Sequence, residues 1–71
     1  MAAEKVNVST RRFTYGFADA EFPDLDAAVW KARREYEAMK EKYGDELVET
    51  FDKALVMEET SVYLQLTRVV K

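Results

Sequence analysis

The chain has no cysteine, no histidine, two glycines, one proline and no long apolar run. Each absence removes a class of function. Without cysteine there is neither a disulfide framework nor a thiolate zinc site, and nothing points to an oxidising compartment. Packing, or association with another chain, must then stabilise the fold. Without histidine or cysteine the chain lacks the group that titrates near neutral pH and the most reactive nucleophile. Ser9 and Ser61 lie outside any glycine pattern of a nucleophile elbow, so no enzyme is expected and no cofactor is implied. Gly16 and Gly44 alone cannot build a phosphate-cradling loop. A bilayer-spanning helix needs about 20 consecutive apolar residues, and Met1-Ala2-Ala3-Glu4-Lys5 lacks the apolar core of a signal peptide. The expectation is a cytoplasmic protein without a membrane partner.

What is present describes a small folded domain. A chain of 71 residues has room for one domain, residues 1–71, and buries only about 60% of its unfolded surface. Apolar residues make up 48% of it and the charges are interspersed, which excludes intrinsic disorder. Fourteen acidic residues against eleven basic ones give a net charge of −3, which argues against affinity resting on a general phosphate-binding field.

Val6 to Phe17 is rich in β-formers, with Val6 and Val8 in one phase and Phe13, Tyr15 and Phe17 in the other. The slip between them requires either a bulge in one long strand or a tight turn between two short ones at Ser9-Thr10-Arg11-Arg12, with the bulged strand preferred. Pro23 breaks the strand. Leu25, Val29, Ala32, Tyr36, Met39 and Tyr43 then repeat at spacings of three and four, with Ala28 widening the stripe, so a helix presents one apolar face. Asp24 is its expected N-cap and Gly44 its left-handed terminator. Lys31 with Glu35 and Arg33 with Glu37 suit i,i+4 pairing. Asp45 is expected to cap a second helix, with Leu47, Val48, Phe51, Ala54 and Leu55 on one face, ending near Met57. Ser61 to Val70 alternates again, Val62, Leu64 and Leu66 opposing Tyr63, Gln65 and Thr67. No internal repeat is present.

The acidic residues Asp19, Glu21, Asp24 and Asp26 could in principle hold a hard cation, but they lack the spacing of an EF-hand loop. Capping and helix-dipole roles are expected of them, and no metal site. Trp30 stands out: at about 100° per residue it lies more than about 100° from the centre of the apolar stripe, beside Ala27, Arg33, Arg34 and Glu37. Either it caps the edge of the domain beneath Arg34 or packs under the N-terminal strand, or Trp30, Arg33 and Arg34 form a protein-binding hot spot, a composition that interfaces favour.

Two families offer resemblances. The run Arg12-Phe13-Thr14-Tyr15-Gly16-Phe17-Ala18, followed by Asp26-Ala27-Ala28-Val29, resembles the third strand and second helix of an RNA-recognition motif. That resemblance implies base stacking by Tyr15 and by Phe13 or Phe17. It covers less than a third of the chain, and the helix after Gly44 has no counterpart there. The order strand, helix, glycine turn, helix is also similar to a ribbon–helix–helix repressor, which implies a strand that enters the DNA major groove. Here the C-terminal strand is surplus.

The architecture expected is α+β: a small β-α-α-β domain whose antiparallel terminal strands pack on two antiparallel helices. Two strands alone are marginal, so the pairing should extend through a hairpin at Ser9–Arg12 or across a dimer. The function expected is a non-enzymatic protein-interaction module: a homodimer, or an adaptor or inhibitor of a larger partner, such as an accessory protein of a phage or other mobile element. The alternative is nucleic-acid binding through Arg11, Arg12, Phe13 and Tyr15.

Overall fold

The computed structural model describes residues 4–70; Met1 to Ala3, part of the stretch read above for a signal peptide, and Lys71 lie outside the described residues. It is an α+β domain with strand β1 (Glu4–Thr14), helix α1 (Leu25–Tyr43), a 3-10 turn (Gly44–Glu46), the single helical turn α2 (Phe51–Ala54), and strands β2 (Leu55–Met57) and β3 (Ser61–Val70). The sheet is antiparallel in the order β1-β3-β2, so the last strand is the central one.

β1 is one bulged strand. The irregularity falls between Asn7 and Ser9, earlier than the Ser9–Arg12 segment where the change of phase suggested it, and no hairpin forms there. With Val8 accommodated as the extra residue, Ser9, Arg11 and Phe13 oppose Leu66, Leu64 and Val62 on the face that meets α1. Phe13 is fully buried and Val8 packs against the core. β1 ends at Thr14, short of the expected Phe17. Beyond it Tyr15 bridges to Phe22, Phe13 packs against Phe22 with centroids 6.0 Å apart, and Phe17 is exposed in the loop.

α1 starts where Asp24 accepts the Ala27 N–H at 2.9 Å, satisfying one of the free donors of the first turn. It stops at Gly44, whose φ of 59° is costly for any residue with a Cβ. Ala28 and Ala32 are fully buried, their small side chains letting the helix approach the sheet, while Leu25, Val29, Tyr36, Met39 and Tyr43 pack at the rim. Val62, Leu64 and Leu66 complete the floor as their alternation requires. The expected intrahelical ion pairs give way to longer-range contacts: Glu35 binds Arg11 at 2.7 Å, and Arg33 lies 4.3 Å over the ring of Phe51.

The second helix expected from Asp45 to Met57 is reduced to one turn. Leu47 instead pairs with Arg68, Val48 donates its N–H to the Thr67 carbonyl at 2.9 Å, and Leu55, Val56 and Met57 pair with Leu64, Tyr63 and Val62. The physical reason is the open flank of β3. An isolated helix of this length is marginal, whereas an edge strand satisfies the backbone groups of β3 and still buries Leu47, Phe51 and Ala54. The sheet thus gains its third strand from this chain.

Candidate functional site

The outer surface of α1 follows from its inner one. Ala28, Ala32 and their neighbours face the sheet, so Trp30, Arg34, Glu37, Ala38 and Glu41 share the opposite side. Trp30 is 62% exposed, the most open of the large apolar side chains among the described residues. Beside it is Arg34, whose guanidinium carbon lies 5.3 Å from the indole centroid, within cation–π range. Two turns further on, Arg34, Glu37, Ala38 and Glu41 surround a shallow hollow of about 290 Å³. Arg33 parts from the other two candidates. It folds back over Phe51 and covers the core edge, so Trp30 and Arg34 are brought together while Arg33 acts one face away.

The residues considered for nucleic acid are separated by the pleat of β1. Arg11 and Phe13 point to the α1 side, where Arg11 is paired with Glu35 and the Phe13 ring has no exposed surface left to stack on a base. Tyr15 is half-buried and donates its hydroxyl to the Glu58 carbonyl at 3.0 Å. Arg12 alone lies on the sheet face away from α1, where it sits 4.4 Å over the ring of Tyr63 and 3.7 Å from Glu58.

That second sheet face is a feature sequence reasoning passed over. Among the described residues no helix covers it, and alternation places Lys5, Asn7, Thr10 and Arg12 there from β1, with Val56, Tyr63 and Gln65 from the other strands. The signal was present in the phase of Tyr63 opposite Leu64, but its neighbours on the face were hidden until the registers were known. Glu49 was also passed over. Its Oε1 accepts the Thr67 N–H at 3.1 Å, its carbonyl accepts the Tyr36 hydroxyl at 3.2 Å, and its Oε2 is buried without a partner. A side chain here takes a donor that a regular ladder would give to a strand carbonyl, and no residue spacing announces that.

Asp24, from the acidic cluster, is committed to capping α1, and among the described residues no group of three or more acidic side chains is arranged to hold a metal. No described helix is long and apolar enough to cross a membrane. Comparison with known proteins finds no matching protein-family model, no similar curated protein and no similar solved structure.

Proposed function

We propose that the chain is a small non-enzymatic protein-interaction module that meets its partner through the outer face of α1, with Trp30 as the anchor and Arg34 beside it. The observation that carries this reading is the placement of the chain's single Trp, more than half exposed, on the side of the long helix that faces away from the core. A solvent-exposed indole next to a guanidinium adds little to folding but is the composition from which interface hot spots are built. Adaptor, inhibitor and homodimer all fall within this class. Cytoplasmic residence belongs to the same proposal and is supported by the absence of cysteine.

The test is Trp30→Ala with two readouts. Thermal midpoint should move little, since a surface substitution away from the core is usually worth less than about 0.5 kcal/mol. Association should weaken by about 2 kcal/mol or more, as it does for central interface aromatics. A midpoint drop matching a loss of about 3 kcal/mol, the size expected for a large-to-small core change, would assign Trp30 to the fold and defeat the reading.

A second reading is single-stranded nucleic acid on the uncovered sheet face, favoured by the Arg12–Tyr63 stack there. Fluorescence anisotropy with a labelled oligonucleotide addresses it. Binding that depends on Arg12 and Tyr63 but not on Trp30 would move the function to that face.

A further inference from the structure

We infer that the occupant of the Trp30 surface is a second copy of this chain, docked so that the two α1 helices run antiparallel about a two-fold axis near Arg34. The inference rests on the reading of Trp30 as an interface anchor and names its partner.

The geometry comes from the helix itself. In helix–helix contacts a protruding side chain enters a hollow formed by four residues of the facing helix at positions i, i+3, i+4 and i+7. Arg34, Glu37, Ala38 and Glu41 have that spacing, and they border a hollow of about 290 Å³. Trp30 is the protruding side chain on the same stripe. Its Cα lies about 12 Å from that of Ala38 along the axis, at 1.5 Å per residue. One stripe therefore holds both a knob and a hole, which is what a two-fold contact requires, because each copy must offer the same surface to the other. Two knobs and two holes are satisfied at once when the helices run in opposite directions with Arg34 near the centre.

Charge selects the same arrangement. Along the stripe the earlier half carries Lys31 and Arg34, and the later half Glu37 and Glu41. Parallel helices would set like charges together, whereas antiparallel ones bring Lys31 of one copy opposite Glu37 of the other. Arg34 would meet its own twin at the axis if it pointed straight out. Helical side chains lean towards the N-terminus, however, and Arg34 does so, reaching the Trp30 ring at 5.3 Å. Its charge thus arrives opposite Glu37 of the second copy. Within a single chain Glu37 and Glu41 form a like-charge i,i+4 pair, which is locally unfavourable; a facing Lys31 and Arg34 relieve that repulsion.

One competing surface for self-association is the free edge of β1, which carries the devices that discourage edge pairing: a bulge at Val8 and the charged residues Lys5, Arg11 and Arg12. The charges of the α1 stripe, unlike those three basic residues, are of both signs and can pair across a two-fold contact. The stripe's contact area is modest, one helix face about 28 Å long by the rise per residue, so the pair should exchange with monomer rather than be permanent.

Because Trp30 is the only Trp in the chain, its emission reports directly on this surface. Sedimentation equilibrium and Trp fluorescence should be followed from about 1 µM to about 1 mM, the range in which contacts of this size dissociate. The expected result is a monomer–dimer transition accompanied by a blue shift and by growing protection from acrylamide quenching. By sedimentation, Trp30→Ala should weaken the dimer at least about thirtyfold, equivalent to about 2 kcal/mol. Glu37→Lys should weaken it too, and adding Lys31→Glu to Glu37→Lys should restore it, a rescue that damage to the fold cannot imitate. A monomer with unchanging emission up to the highest concentration overturns the second copy as occupant and leaves the Trp30 surface to a different protein. A dimer that persists unaltered in Trp30→Ala overturns the inference by placing self-association on another face. A collapse of the thermal midpoint in Trp30→Ala defeats instead the reading beneath it.

Discussion

On one flank of β3, β1 runs alongside from Glu4 to Thr14 and needs a single irregularity, at Val8; on the other, residues 47–57 touch β3 in two pieces separated by α2. Leu47 opposes Arg68 and Leu55 opposes Leu64, so the register slips by four residues, the length of α2. The two flanks are held differently. A long ladder distributes its backbone bonds over many residues, so no single one of those bonds decides whether the strand stays paired. An interrupted edge depends on the few side chains that pin it: Leu47, Phe51 and Ala54 in the core, and Glu49 on the Thr67 N–H.

The comparison breaks most visibly in the core. Phe13→Ala, at a fully buried site shared by β1 and α1, should cost about 3–5 kcal/mol and leave so small a domain largely unfolded. Phe51→Ala also removes a buried ring, one that meets Tyr36 edge-on at 5.5 Å and carries Arg33 on its outer face. Its cost should be similar in kind, about 3 kcal/mol, but uneven in space. Amide exchange should accelerate first at Leu55 to Met57, with β1 remaining protected in whatever folded fraction persists. Uniform acceleration across both flanks would show that they unfold as one unit.

The same contrast explains what could be read from the sequence. β1 and β3 announce themselves because a strand with one buried face alternates, and the change of phase before Phe13 calls for a bulge or a turn, of which the structure has the bulge, at Val8 rather than within Ser9–Arg12. α1 was legible from its stripe, its Asp24 cap and its Gly44 stop. Residues 47–57 were not. Leu47, Phe51, Ala54 and Leu55 sit at helical spacing, and a strand–turn–strand path that aims all four at the core produces the same pattern. Only the need of β3 for a second neighbour distinguishes the two, and that is a tertiary fact. Of the candidate surface, the exposure of Trp30 followed from the helical wheel. The hollow over Ala38 did not stand out, because an alanine between charged residues looks like ordinary helix surface.

Glu49 sharpens the comparison at intermediate scale. Glu49→Ala leaves the Thr67 N–H without its acceptor at the point where the edge strand breaks off, and a lost bond to a charged group is worth about 1.5–3 kcal/mol. Exchange at Thr67 should accelerate more than at Tyr63, which opposes Val56 in the paired stretch of the same flank. Equal protection at the two amides before and after the substitution would mean that water serves Thr67 as well as the carboxylate does.

The smallest effect belongs to the β1 flank, where Arg11 reaches over the sheet to Glu35 on α1 at 2.7 Å. The distance suggests a strong tie, but the arginine side chain is 42% exposed, and pairs open to solvent are typically worth about 0.2–1 kcal/mol. Arg11 also lies 4.8 Å from the centroid of Phe13, so Arg11→Ala removes cover from a core ring as well as a charge. A double-mutant cycle with Glu35→Ala separates the two contributions. The expected coupling is below about 1 kcal/mol and fades with added salt, while the part of the Arg11→Ala loss that persists in the Glu35→Ala background is insensitive to salt. If the ladder alone secures β1, the double mutant should retain a cooperative transition. A coupling well above that range would mean that this flank, too, is pinned by a side chain, and would erase the difference between the two sides of β3.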